Sequence, residues 1–306
     1  MGTGSAFKGI LNYLARGKDI MPVPSLSSRV NVPENWPSGK PLAIVVDIIC
    51  ERWADGTAPG LSPMGNPLKA GYLDTAAVGW AEYGETTGVY RLFDIADEVG
   101  VKCAACLNGI VVDRHPEIAQ RAVAGGHTLF AHCWSQDQYP VYMERDEEDE
   151  DIKRCISVQE KAVGTRPMGF GAPRGTPSEN TAELLAANGF RWMVDSMNAE
   201  LPYLFDTPAG PIVIVPWTMD VNDLPTTLRY GNSARKVSDD LSDILEGYSS
   251  IGSPHAVLDI GAHAHVSGRP IGAIQFRKML EMIVDLDWVW ITTRDEIANL
   301  IHPDIA

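Results

Sequence analysis

Hydrophobic positions along this chain alternate between two rhythms. Continuous apolar runs with β-branched residues predict buried strands at 40–49 (KPLAIVVDII), 101–112 (VKCAACLNGIVV), 127–134 (HTLFAHCW), 168–175 (MGFGAPRG, strand and turn), 191–197, 210–217, 255–265 (HAVLDIGAHAH) and 287–293 (DWVWITT). Segments with helical spacing fall between them: 86–100, closed by a glycine, 115–126, an acidic stretch at 142–164, 178–189 with Ser178 as N-cap, and 294–302. Turn residues fill 50–71, which reads as a long loop. The β-α alternation predicts an α/β protein with a parallel sheet. Seven or eight such units without a linker predict a barrel whose functional groups sit at the C-terminal strand ends. Residues 1–40, rich in Pro, Ser and Gly, read as an N-terminal arm over a single barrel domain at 41–306.

Charge and cysteine content narrow the function. With 25 basic against 40 acidic residues the net charge is −15, which argues against a nucleic-acid partner, because phosphate contacts need clustered Lys and Arg. No apolar run approaches the roughly 20 residues of a membrane helix. The first twenty residues lack a long apolar core and a small-residue cleavage site, and Ser5 sits one place too early for a myristoylation pattern, so the expected location is the cytoplasm. Five cysteines without framework spacing point to a reducing compartment, and the Cys103–Cys106 pair reads as two small residues of a buried strand.

Polar residues gather where the apolar runs stop. Asp47 and Glu51 flank the end of the first run, His132 ends the third, and Arg174 follows FGAP. Asp220, Asn222 and Asp223 follow VPW, and His263 and His265 end the run at 255–265. Singly, a strand-end Asp is often a cap and a lone His a satisfied core residue. Acids and histidines at several strand ends together predict a catalytic mouth. His127, at the start of its strand, reads as structural.

These residues carry a resemblance. EYGETTGVYRL, CLNGIVVDRHPEIAQRAVAGGH, LDIGAHAHVSGRP and WVWITTRDEIA resemble the polysaccharide deacetylase (NodB-like) superfamily, in the branch of allantoinase-like proteins and cyclic-imide hydrolases. The resemblance runs from about residue 40 to the end and implies a distorted, seven-stranded (β/α) barrel. It also implies hydrolysis of a C–N amide-type bond and a homo-oligomer, commonly a tetramer. Carried over motif by motif, it puts Asp47 at the catalytic base and Ile49 at the metal-binding acid. His132 keeps one metal histidine and Gln136 replaces the other. Gly171 replaces an arginine, Pro173 is kept, Arg174 stands at a tyrosine position, and His263 is the general acid. Isoleucine cannot ligate and a glutamine amide is a poor zinc ligand, so no cofactor is expected. A rearranged divalent-metal site such as zinc would draw on His132, Glu51 and Asp137.

The resulting expectation is a metal-independent hydrolase of a small cyclic amide or ureide. Asp47 is its general base with Glu51 nearby, and His263 is its general acid. Backbone N–H groups of the Ala172–Gly175 turn form the oxyanion site. Arg174 either binds substrate or pairs with an acid such as Asp220. Substrate contacts are expected from His132, Arg174, Gln136, Asp220, Trp134 and His265. The alternatives are a metal-dependent N-acetyl sugar deacetylase and a non-catalytic binding barrel. Cysteine catalysis by Cys133 is disfavoured, because neighbouring strand side chains face opposite ways.

Overall fold

The first apolar run forms the spine of the molecule. In the computed structural model, which describes residues 33–60, 63, 68, 69, 71–251 and 256–302, β1 spans Leu42–Cys50 and is buried at every position. Leu42, Ile44, Val46, Ile48 and Cys50 pack against helices, while Ala43, Val45 and Ile49 face the interior of the curled sheet. A strand buried on both faces reads as a continuous hydrophobic run, as this one does.

Around β1 the sheet is parallel. β2 (Ala104–Leu107), β3 (Thr128–Ala131), β4 (Gly169–Phe170), β5 (Trp192–Met193), β6 (Tyr203–Thr207), β7 (Gly210–Ile214), β8 (Val221–Asn222) and β9 (Ala256–His263) lie in the order β6-β7-β5-β4-β3-β2-β1-β9-β8. A short β10 (Val289–Thr292) pairs with the first half of β1, and β2 pairs with its second half. Nine strands pair in parallel, seven of them on the path from β7 through β1 to β9, so the sheet is larger than the expected seven-stranded barrel. Beyond those seven the structure adds the antiparallel strand β6 and the short strands β8 and β10. The result is a curled, mixed sheet with helices outside, a distorted (β/α) half-barrel. The C-terminal ends of the parallel strands share one rim.

Most predicted elements are present, with differences at their ends. The run 101–112 is a strand only over Ala104–Leu107. Asn108 then turns the chain into a helix at Gly109–Arg114, and a Cβ on Gly109 would meet the Trp134 ring at 2.8 Å. The helix expected at 86–100 is the end of a longer one, Thr75–Tyr83 running through a π-turn (Gly84–Gly88) into Val89–Val99. Helices at Ala234–Gly247 and Pro270–Val284 were not assigned from the pattern. The helix at Thr181–Ala187 is capped at Asn180 rather than Ser178, whose hydroxyl accepts from the Asn180 N–H at 2.9 Å. Residues 1–32 of the arm lie outside the described residues; at its end, buried Trp36 donates to the Ala256 carbonyl at 2.8 Å.

Inside the sheet one polar contact replaces apolar packing. Asp47 and Arg294 are both fully buried, with Arg294 Nη2 donating to Asp47 Oδ2 at 2.7 Å and Nη1 to the Val215 carbonyl at 2.9 Å. Removing one partner of such a pair strands the other charge. Asp47→Ala is therefore expected to destabilise the fold by about 3–5 kcal/mol in urea unfolding; an unchanged midpoint would contradict this placement.

Candidate active site

Strand register assembles the site. Ile49 of β1 lies opposite His263 of β9, and the Ala264 N–H donates to the Ile49 carbonyl at 2.8 Å. Glu51, the residue after β1, is thereby set beside the end of β9. On the other edge Asn108 clasps two strand ends: its Oδ1 accepts from the Arg52 N–H at 3.0 Å and its amide donates to the His132 carbonyl. The Gln136 N–H donates to the Arg52 carbonyl at 2.8 Å, which brings the loop after β3 over the same point. These bonds make neighbours of Glu51, His132, Gln136 and His263, which are up to 212 positions apart in the chain.

The centre is the Glu51 carboxylate, 4% exposed. Its Oε1 accepts from Gln136 Nε2 at 2.6 Å and lies 3.6 Å from His263 Nε2 and 3.7 Å from His132 Nε2; its Oε2 lies 3.7 Å from His265 Nε2. The three imidazole separations are too long for hydrogen bonds. Burial alone would push the Glu51 carboxyl up. The positive field of His263, the largest of the influences that act against burial, outweighs it and brings the carboxyl down to about 2.

Each histidine has its own support. Asp223 takes three donors: the His263 N–H at 2.9 Å, His263 Nδ1 at 2.7 Å and the Ser267 N–H at 3.1 Å. Burial works against a charged His263, but Asp223 and Glu51, with Asp47 behind them, hold its pKa above the ordinary value. His265 sits edge-on to Trp80 at 4.5 Å and Trp53 at 6.0 Å between ring centroids. Burial drives it down to about 4, against the pull of Glu51. His132 Nδ1 lies 2.6 Å from the Gly171 carbonyl. Close packing holds the His263–His265 loop: a Cβ on Gly88 would fall 2.0 Å from the Ala264 carbonyl oxygen, and one on Gly84 3.0 Å from the His265 nitrogen.

Above these groups opens a cleft of about 670 Å³, walled by Trp53, Trp80, Trp217 and Tyr139 and edged by Arg174 and Arg229. The residues just past three strand ends, Cys133, Arg174 and Met219, adopt positive φ (51°, 59° and 65°), a conformation non-glycine residues rarely hold and one concentrated at functional sites.

Of the residues expected from sequence, Glu51, His132, Gln136, Arg174, His263 and His265 line this cleft. Four others do not. Asp47 is fully buried and paired with Arg294 beneath Trp217, whose Nε1 lies 3.4 Å from its Oδ2, so it does not line the cleft. Asp220 is exposed, and the adjacent acid Asp223 reaches His263 instead. Trp134 faces away, under the Arg154 guanidinium at 3.1 Å from the ring centroid. Asp137 pins the following loop, accepting from the Ala54 N–H at 2.9 Å. Arg174 makes no ion pair with Asp220; its guanidinium lies 5.7 Å from the Tyr139 ring centroid. In its turn the Ala172 and Gly175 N–H groups are taken by Asp195 and the Ala172 carbonyl, and Pro173 has none, which leaves the Arg174 N–H as the turn's remaining backbone donor. Asp223 was visible as a strand-end acid without a role, whereas the tryptophan walls and Arg229 carried no signal in sequence. His127 is structural: its Nδ1 accepts from the Cys103 N–H at 3.1 Å and its ring stacks on Phe93. Cys133 packs with Ile152 and Cys155 away from the cleft, and burial pushes its thiol up.

An acid and imidazoles on the rim of a distorted (β/α) barrel match the NodB-like fold. Residues 79–193 match the profile of the polysaccharide deacetylase family. It is similar to a polysaccharide deacetylase-family protein of Schizosaccharomyces pombe, 25% identical over 263 residues, 79% of this chain and 80% of the relative. Among solved structures it is similar to Puue allantoinase (TM-score 0.82, 25% identity, 94% of this chain and 98% of that one). A polysaccharide deacetylase-family protein of Pseudomonas aeruginosa PAO1 gives TM-score 0.81 and 25% identity over 92% and 98% of the two chains.

The metal that such a domain implies does not fit the donors present at the expected positions. Ile49 has no donor atom, the Gln136 amide is committed to Glu51, and Asp137 is tied to Ala54. Among the described residues no group of three or more His, Cys, Asp or Glu could hold a metal ion.

The charge assignment is testable without substrate. In ¹⁵N imidazole spectra, His263 is expected to titrate above the usual value of about 6.5, and His265 near 4. Asp223→Asn should bring His263 down. The reverse order of the two histidines would contradict the electrostatic picture.

Proposed function

We propose that this chain hydrolyses a C–N amide-type bond in a small cyclic amide or ureide, with Glu51 as general base and His263 as general acid. The observation that carries the proposal is the Asp223–His263–Glu51 line, in which a base and an acid face each other across 3.6 Å inside a cleft walled by aromatic rings. The similarity to a solved allantoinase supports the cyclic-amide class.

The steps follow from protonation state. Glu51, ionised, takes a proton from water as the water oxygen bonds to the ring carbonyl carbon. The carbonyl oxygen gains charge opposite the Arg174 N–H and guanidinium. The C–N bond then breaks, and His263 Nε2–H delivers its proton to the leaving nitrogen. The ring opens to a carboxylic acid and a free N–H group. Asp223 holds His263 in orientation and sustains its positive charge, as the acid of a carboxylate–imidazole pair does.

A second reading, deacetylation of an N-acetylated sugar, is favoured by relatives such as a peptidoglycan deacetylase of Helicobacter pylori, 22% identical over 69% of this chain and 83% of the relative. A screen of hydantoins, ureides, cyclic imides and N-acetyl sugars separates the two. Cyclic amides are expected to turn over, and Glu51→Gln to lower kcat by about 10²–10⁴-fold. Exclusive turnover of N-acetyl sugars, or an undiminished kcat in Glu51→Gln, would overturn the proposal. Acidic loss is expected only as pH falls toward 2. On the alkaline side activity falls as His263 loses its proton, above its ordinary range.

A further inference from the structure

Charge of one sign edges the cleft. Among the described residues that line it, Arg174 and Arg229 are the basic residues besides histidine, and Glu51 is the one acid, buried at the base. Several other surface arginines of this acid-rich chain are neutralised: Arg121 meets Asp94 and Asp97, Arg145 meets Glu183, and Arg277 meets Glu98. Arg174 and Arg229 are exposed and have no acid partner among the described residues. The Arg174 guanidinium lies 5.7 Å from the Tyr139 ring centroid, a contact that orients it and consumes none of its N–H donors. Both residues stand on irregular backbone. Arg174 holds a φ of 59° in its turn, and Arg229 ends the π-turn Pro225–Arg229 that follows β8. Such conformations are concentrated at functional sites. In a chain of net charge −15 the overall field repels anions, and two unpaired guanidinium groups at one opening counter it locally.

We infer that the substrate carries a carboxylate, and that Arg229, with the Arg174 guanidinium at the same opening, receives it at the cleft mouth while the ring lies between the aromatic walls. The inference rests on the cyclic-amide reading and extends it to an anionic substituent outside the reacting ring. The proposed hydrolysis has no use for Arg229, and a neutral ring amide leaves its donors to water. A guanidinium presents its N–H groups as a rigid planar fork that matches the two oxygens of a carboxylate. Aromatic walls that exclude water from one side of the opening strengthen the attraction.

The test compares hydantoin-5-acetic acid with hydantoin-5-acetamide, which share ring and size and differ in charge. Both are read with the full chain by calorimetric binding and by turnover. The wild type is expected to bind the acid about tenfold or more tightly at low ionic strength, and the preference to shrink as salt is raised. Arg229→Gln is expected to remove most of that preference and Arg229→Glu to invert it. Arg229→Lys should keep part of it, because the charge stays and the fork goes. Circular dichroism checks the fold of each variant, and the wild-type comparison decides if one does not fold. Equal binding of the two compounds, or a preference that survives Arg229→Glu, overturns the inference. Turnover of both without preference sinks the carboxylate site and leaves the hydrolase reading. Preferential binding of the acid without turnover supports the site and sinks the hydrolase reading. Binding of neither compound overturns the site.

Discussion

A carboxylate buried among imidazoles is the constraint on which this site is built. Glu51 leaves the end of β1 into a space where solvent cannot stabilise its charge, and the molecule answers with His263, Gln136 and the rings of His132 and His265. Each of these is set by something further out. Asp223 keeps His263 charged and turned, Gly171 fixes the tautomer of His132, and two tryptophans enclose His265. Close contact between the π-turn at Gly84–Gly88 and the His263–His265 loop leaves room only for glycine at 88 and 268.

A second buried carboxylate shows how placement separates chemistry from structure. Asp47 and Glu51 come from one chain segment, four residues apart. Asp47 meets Arg294, a permanent cation with no proton to exchange, and serves as an internal ion pair. Glu51 meets a histidine, whose proton can move. The same residue class thus forms an ion pair inside the barrel at one level and faces an ionisable imidazole at the next.

Much of this was legible from periodicity. The alternation of runs predicted the parallel barrel, and residues at the ends of those runs included Glu51, His132, Arg174 and His263. What escaped depended on distance along the chain or on where a strand stops. Asp47 looked like a strand-end acid because it interrupts an apolar run, but β1 continues to Cys50, and its partner Arg294 stands 247 positions on. Asp220 and Asp223 were indistinguishable as acids after VPW; only the packing of β8 against β9 turns Asp223 to His263. Trp134 and Asp137 follow a genuine site residue, and the positive φ at Cys133 swings the chain away from the cleft before Gln136 returns to it.

The central claim is that Glu51 and His263 carry the proposed hydrolysis by proton transfer, without a metal. Turnover of a cyclic-amide substrate by enzyme stripped with a chelator, with metal content followed alongside, tests it most directly. The account predicts full turnover in metal-free protein. Activity that disappears on chelation and returns with stoichiometric zinc would contradict it.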